Sequence, residues 1–258
     1  MNPVLLHIYG PLSIHAYGLC IAIGGLISFV LLSKDSKMNS LASAQTMTTL
    51  LQIILCSGFL GGRIVDMLSQ PDPLQDPLFL FRFWEPGLSI LGAIIGTTVS
   101  LVAYLSYKKI PLMPLLDRIA LYAPLAQSFG RLGCFFAGCC YGLPATHWFS
   151  VTYVHPNNLA PLHCALHPSQ LYSSLLLLCI FLFLYFVAQH KTKKTGLLLF
   201  YYLFLTGIER FLIDFIRWDR ISITEPYLLS FFSLHQWIAI SICSFAILGI
   251  FFISKRRL

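Results

Sequence analysis

Three arginines interrupt the apolar stretches of this chain. Arg63, Arg131 and Arg210 each lie within or at the edge of an apolar run. An arginine at membrane depth costs about 2.5–3.5 kcal/mol or more, so such residues usually serve a function. A guanidinium donates two parallel hydrogen bonds, which suits a phosphate. Arg131 has no carboxylate within four residues on either side. We therefore expect Arg131 and Arg210 to bind an anion, and a lipid phosphate is the natural candidate.

The other two arginines have carboxylates at helical spacing. Asp66 lies three residues after Arg63, and Asp214 lies four residues after Arg210. Residues three or four apart share one face of a helix, and so would Arg217, seven residues after Arg210. For Arg63 we favour a structural ion pair. For Arg210 we favour a function.

Three cysteines follow Arg131 closely, at positions 134, 139 and 140. The spacing C-x4-C-C is not a usual zinc pattern, so we predict neither a metal nor a cofactor. In an oxidising compartment Cys164 could pair with Cys139 or Cys140.

The composition is that of a membrane protein. The 258 residues are 57% hydrophobic and 10% charged, with a mean hydropathy of +0.77. A soluble domain carries about 25% charged residues, and here too few polar residues remain to cover a soluble core. The net charge of +7 does not indicate nucleic acid, because the basic residues lie at the ends of apolar segments rather than in one tract.

Seven apolar stretches are long enough to cross a membrane, since a helical span needs about 20 such residues. We predict an all-α polytopic membrane protein with seven transmembrane helices. Residues 1–258 form a single domain, with a small outer segment at about residues 137–168. Residues 79–84, rich in aromatic side chains, could add a short interfacial helix. The predicted spans are residues 13–32, 46–68, 88–107, 115–136, 169–188, 196–216 and 232–253.

The lysines and arginines predict the orientation, because cytoplasmic loops carry an excess of them. Only Arg82, Arg217 and Arg220 lie in the loops of the other side, so the N-terminus is outside and the C-terminus is cytoplasmic. The cytoplasmic set is Lys34, Lys37, Lys108, Lys109, Arg118, Lys191, Lys193, Lys194, Lys255, Arg256 and Arg257.

An ordered series of motifs runs through the whole chain and resembles the bacterial prolipoprotein diacylglyceryl transferase family. The motifs are HAYG at residues 15–18, GGRI at 61–64, GLS at 87–89 with Gly92 and Gly96, GRLG at 130–133, HPSQLY at 167–172, RF at 210–211 with FIR at 215–217, and QW at 236–237. The resemblance implies a multi-pass enzyme of the bacterial inner membrane.

The resemblance also implies a reaction and its partners. The family moves the diacylglyceryl group of phosphatidylglycerol onto the lipobox cysteine thiol of a prolipoprotein, and glycerol phosphate leaves. By similarity Arg131, Arg210 and Tyr17 are catalytic, and the two arginines would bind the phosphate and stabilise its charge. The substrate-binding set would add Gly133, His167, Gln170 and Tyr172. The supporting set would be His15, Arg63, Asp214 and Arg217.

Three positions depart from the family pattern. Leu91 stands where a histidine, a candidate base, is typical, and Cys134 and Cys139 replace an asparagine and an acid. Two routes to a thiolate stay open: a thiol pKa lowered by arginine alone, or His15 or His167 as base.

Two other function classes remain. One is a non-catalytic relative that binds anionic lipid, which Leu91 favours. The other is a transporter or channel with Arg131 and Arg210 in an anion path. We find no repeat between the two halves of the sequence, which argues against the common transporter plans.

Overall fold

The chain folds mainly into helices, as its long apolar stretches predict. The computed structural model describes residues 3–9, 12–69, 80, 89–220 and 232–255. The expected interfacial helix at residues 79–84 and the predicted start of the third span at residue 88 lie outside this description, apart from residue 80. The described helices are α1 (Ala16–Ser33), α2 (Ser36–Leu41), α3 (Ala44–Leu68), α4 (Ile90–Lys108), α5 (Leu112–Ala137), α6 (Ser169–Phe183), α7 (Gln189–Lys191), α8 (Leu197–Asp214) and α9 (Leu234–Lys255).

Within the described ranges, each predicted span corresponds to one long helical stretch. A π-helical turn at Leu184–Ala188 joins α6 to α7, so the fifth stretch runs over Ser169–Lys191. By length and composition, five stretches are apolar enough to cross a membrane: α1, α3, most of α4, Ser169–Lys191 and α9. The other two long helices, α5 and α8, each carry three charged residues.

Two short strand pairs correct the all-α prediction. Strand β1 (Val4–Tyr9) pairs antiparallel with β2 (Leu12–His15). The first predicted span therefore starts too early, because residues 13–15 belong to this hairpin and the helix begins at Ala16. The exposed apolar side chains of Leu5, Leu6 and Ile14 give the hairpin the composition of a span. The second pair is β3 (Val151–Thr152) with β4 (Ala165–Leu166).

The structure divides into two compact units, so the single-domain expectation stays a prediction. One unit comprises Ser33–Leu115 and contains α2, α3 and α4. In it, α3 and α4 pack through glycines. A Cβ on Gly61 would overlap the carbonyl oxygen of Gly92, and a Cβ on Gly92 would overlap that of Gly61. Small residues of this kind let helix backbones approach closely in membranes.

The other unit comprises Met1–Leu32 and Leu116–Leu258. Its core forms where α5, α6, the π-helical turn and α8 meet. Asp117 of α5 caps α8, since its carboxylate accepts hydrogen bonds from the backbone N–H groups of Gly196 (2.5 Å) and Leu199 (2.8 Å). Such a cap satisfies donors that a helix start leaves without partners. The buried members of the core are Leu121, Tyr122, Leu125, Phe181, Leu184, Ala188 and Leu198.

The segment 138–168, between α5 and α6, has a small core of its own. Tyr153, Ala160 and Leu166 are buried together, beside the β3–β4 pair. The Tyr153 hydroxyl donates to the carbonyl of Phe135 in the last turns of α5 (3.0 Å). Burial raises the pKa of Tyr153 to about 12, so this hydroxyl remains a neutral donor at ordinary pH.

Candidate functional site

A cavity of about 380 Å³ opens between four helices of the larger unit. Helices α5 and α8 supply most of its wall, α1 supplies a tyrosine and α6 a leucine. The residues that line it are Tyr17, Gln127, Gly130, Arg131, Cys134, Leu177, Thr206, Glu209 and Arg210.

Helical spacing explains why the two predicted arginines meet. On α5, Gln127, Arg131 and Cys134 are four and then three residues apart, so they share one face. On α8, Thr206 and Arg210 are four apart and share the face that points at the same cavity. Two arginines 79 positions apart in the sequence thus line one space.

Arg131 and Arg210 both line this space. Within the described ranges, neither Arg131 nor Arg210 forms a hydrogen bond or a salt bridge. The positive charge is concentrated, because Arg131 and Arg217 both act electrostatically on Arg210. Several cations around one space favour an anion there, although Glu209 and Asp214 also act electrostatically on Arg210. The geometry therefore suits a phosphate group held between the two arginines.

Glu209 is a site residue that the sequence analysis missed. Its side chain lines the cavity and is only 5% exposed. The hydroxyl of Ser173, on α6, donates a hydrogen bond to the carboxylate. Glu209 also interacts electrostatically with Arg131 and Arg210. Among the lining residues it is the one carboxylate. Its sequence signal was an acid directly before Arg210 in an apolar run.

Tyr17 lies on the cavity wall as the second residue of α1, and Gly133 places it there. A Cβ on Gly133 would lie 3.0 Å from the carbonyl oxygen of Tyr17 and 3.1 Å from its ring carbon Cδ2. Contacts this short are tight for a Cβ, so glycine favours the close approach of α1 to α5 at that level. Gly133 itself does not line the cavity. It acts on the site through its contact with Tyr17.

The HPSQLY motif lies beside segment 138–168 and not on the cavity. Gln170 is 1% exposed, and its Nε2 donates to the carbonyl of Cys139 (2.7 Å). The Ser169 hydroxyl donates to the carbonyl of Cys140 (2.7 Å). Nδ1 of His167 lies 3.4 Å from the hydroxyl of Tyr172. These contacts hold the loop after α5 in place. The substrate-binding role of His167, Gln170 and Tyr172 stays a prediction.

The expected common face of Arg210, Asp214 and Arg217 is not formed, because α8 ends at Asp214. Arg217 instead forms an isolated β-bridge with Gly142 and a bidentate ion pair with Asp219. Asp214 is fully buried and accepts a hydrogen bond from the Ser233 hydroxyl. Both residues therefore connect the end of α8 to neighbouring segments.

The remaining predicted residues lie away from the cavity lining. His15 has an exposed side chain on β2. Neither His15 nor His167 lines the cavity, so the structure does not place either histidine in the cavity as a base. Arg63 belongs to the smaller unit, where it is 2% exposed and its guanidinium carbon lies 5.5 Å from the Phe59 ring centroid. Leu91, on α4 of that unit, is 63% exposed.

Long apolar helices and an interior cavity lined by arginines define a helical membrane protein with a cationic site. The family follows from sequence comparison. The model of the prolipoprotein diacylglyceryl transferase family matches residues 3–253, and this chain belongs to that family. The resemblance that the motifs indicate is thereby confirmed.

Individual relatives agree along most of their length. A phosphatidylglycerol–prolipoprotein diacylglyceryl transferase of Clostridium tetani is 34% identical over 221 residues, which is 85% of this chain and 86% of that protein. The second such enzyme of Clostridium perfringens is 34% identical over 222 residues, 85% and 84% of the two chains. The Marinomonas relative is 30% identical over 245 residues, 89% and 88%.

Proposed function

We propose that this protein transfers the diacylglyceryl group of phosphatidylglycerol to the lipobox cysteine thiol of a prolipoprotein and releases glycerol phosphate. The observation that carries the proposal is the convergence of Arg131 and Arg210 on one cavity, where neither guanidinium forms a hydrogen bond or a salt bridge with the described residues. The relatives named for this reaction support it.

The chemistry assigns a role to each charged group. The bond between the diacylglycerol carbon and the phosphate oxygen breaks, and a carbon–sulfur bond forms. The leaving phosphate gains negative charge, which Arg131 and Arg210 stabilise, because fixed cations in a dry site need no reorganisation during the reaction. Glu209 accepts the thiol proton, since it is the carboxylate on the cavity wall. Tyr17 lines the space where the two substrates meet.

The membrane arrangement is part of the proposal. Seven helical stretches cross the bacterial inner membrane, with the C-terminus cytoplasmic. Helices α5 and α8 are two of the seven, and they can cross because their charged groups face protein or the cavity. Asp117 binds the start of α8, and Glu209 binds Ser173. Arg131 and Arg210 line the cavity. Ionisable residues in spans are tolerated when they face the interior and each other.

A transfer assay tests the reaction. Purified protein is incubated with labelled phosphatidylglycerol and a lipobox peptide, with a Cys→Ser peptide as control. We expect thiol-dependent labelling of the peptide. Arg131→Ala and Arg210→Ala should each lower the rate about 10²–10³-fold, the usual effect of removing one charge-stabilising donor. Lys108→Gln, an exposed cation at the end of α4, serves as the matched control and should leave the rate unchanged.

A lipid-binding protein without transfer is the alternative that Leu91 favours. It predicts binding of phosphatidylglycerol that depends on Arg131, with no label on the peptide. If both arginine variants transferred at the wild-type rate, the phosphate assignment would be wrong and the lipid-binding alternative would be excluded.

A further inference from the structure

Three thiols meet where the last turns of α5 run into segment 138–168. The Sγ atoms of Cys134, Cys139 and Cys140 all lie within 4.8 Å of one another, and all three side chains are partly buried. We propose that this cluster is a binding site for one soft d¹⁰ metal ion, zinc in the first place. This proposal does not rest on the transfer reaction, although Cys134 also lines the cavity, and the cysteine spacing in the sequence predicted no metal.

The sulfur separations are close to those of a metal site. Zinc binds thiolates at about 2.3 Å in tetrahedral geometry, which places two bound sulfurs about 3.8 Å apart. The observed separations of up to 4.8 Å need only a small contraction around an ion. Three sulfur atoms that converge on one point suit a metal ion. A disulfide would join only two of them and leave the third as a free thiol.

The backbone of the loop is held in the conformation that brings the thiols together. Cys140 has φ +57°, a left-handed conformation that is rare for a side chain of this type. Its carbonyl accepts from Ser169, and the carbonyl of Cys139 accepts from Gln170. The backbone N–H of Cys139 donates to the carbonyl of Cys134 (3.2 Å). A strained residue that its surroundings fix in this way is a reason to look for a function at that place.

The surroundings also suit the charge of such a site. Zinc binding releases the three thiol protons to solvent and leaves a complex with one net negative charge. Arg131 and Arg217 both act electrostatically on Cys140 and would balance that charge. Among the described residues, three cysteines form this cluster. A tetrahedral ion bound by them would have its fourth coordination position open to water or another ligand. Because Cys134 lines the 380 Å³ cavity, the ion would lie in the cavity wall.

The C-x4-C-C spacing did not indicate a metal site, and the reason is geometric. Usual zinc motifs place a pair of cysteines with two to four residues between them, and a second pair of ligands farther along the chain. Here the pair of adjacent cysteines is turned back toward the helix by Gly138 and Cys140, both at positive φ. That reversal brings Cys139 and Cys140 next to Cys134, and the interval of residues alone does not show it.

Metal analysis of the full-length protein tests the proposal. The protein is purified in detergent with an affinity tag that contains no histidine, under reducing conditions, and then loaded with zinc and desalted. We expect about one zinc ion per chain by inductively coupled plasma mass spectrometry, as for a structural thiolate site. Cys139→Ser and the triple serine variant should lose it. Cys164→Ser, a thiol of the same segment outside the cluster, should keep it.

A second measurement decides the question even if the cysteine variants fail to fold. Wild-type protein loaded with Co²⁺ should show the sulfur-to-cobalt charge-transfer absorption of thiolate ligands. The proposal is overturned if the wild-type protein binds no stoichiometric metal after loading, or if the triple variant is folded and keeps its zinc. It is equally overturned if protein isolated without oxygen contains a disulfide between Cys134 and either neighbour.

Discussion

Glu209 gives the cavity an acid–base group beside its two cations. Its carboxylate is 5% exposed and is oriented by Ser173 from the neighbouring helix α6. A carboxylate that is fixed by a hydrogen bond and faces a substrate space can take a proton when a thiol enters. Because Glu209 is the one carboxylate among the residues that line the cavity, we propose this role for it.

We predict that Glu209→Gln lowers diacylglyceryl transfer at saturating lipid by about 10²-fold or more, since a positioned base contributes about 10²–10⁴-fold. Ser173→Ala should cause a smaller loss, because the carboxylate remains but its orientation is freer. The measurement is the single-turnover rate as a function of pH. The limb of the wild-type profile that reports deprotonation of the base should vanish in Glu209→Gln. A variant that keeps both the wild-type rate and the same limb would exclude Glu209 as the base.

For single residues, the sequence predicted the positions of the charged site residues well and the contacts of polar residues poorly. Arg131 and Arg210 stand out because a charge in an apolar run is visible in the sequence itself. Gln170 and Glu209 show the limit. The resemblance implied a substrate-binding role for Gln170, which stays a prediction, and the structure shows its Nε2 donating to the carbonyl of Cys139. Which side of a helix faces a cavity depends on the partner helices, and no local pattern contains that information.

At the scale of elements, glycines set the distance between helices α3 and α4. Gly61, Gly92 and Gly96 leave no room for a side chain at the crossing, because an added Cβ would overlap backbone atoms of the opposite helix. Backbone atoms cannot move aside as a flexible side chain can. This crossing should therefore be sensitive to a single methyl group, whereas a glycine that faces open space should not.

We predict that Gly92→Ala destabilises the protein by about 1–3 kcal/mol, the usual effect of overpacking a tight contact. Gly25→Ala is the matched control, because nothing lies within 4 Å of a Cβ at Gly25. It should leave stability unchanged or raise it by about 0.5–1 kcal/mol, because alanine suits a helix interior better than glycine. Thermal unfolding in detergent, followed by the helical circular dichroism signal, compares the two. Equal shifts for both variants would mean that the α3–α4 crossing is looser than the structure indicates.

The ends of elements were harder to predict than their existence. All seven long helical stretches were expected from the length of the apolar runs alone. The start of α1 was predicted too early because the β1–β2 hairpin is as apolar as the helix. The end of α8 was predicted too late because Arg217 leaves the helix to pair with Asp219 and to bridge Gly142. Both errors come from tertiary pairing that composition does not record.

At the scale of the whole molecule, orientation in the membrane follows from the distribution of positive charge. Segment 138–168 precedes Ser169–Lys191, and three lysines, at positions 191, 193 and 194, follow or end that stretch. A helix of 23 residues is about 34 Å long, enough to cross a hydrocarbon core of about 30 Å. Segment 138–168 and α7 should therefore lie on opposite sides of the membrane, with α7 in the cytoplasm.

We predict that Trp148→Cys reacts with a membrane-impermeant maleimide in cells whose inner membrane is intact, whereas His190→Cys reacts only after that membrane is opened. Trp148 is 95% exposed and the side chain of His190 is also exposed, so accessibility within the protein does not separate them. Peptide mass spectrometry distinguishes each introduced thiol from the eight native cysteines. Labelling of both positions before opening, or of His190→Cys alone, would contradict the orientation. In the second case the cavity arginines would have to act on lipid from the cytoplasmic leaflet.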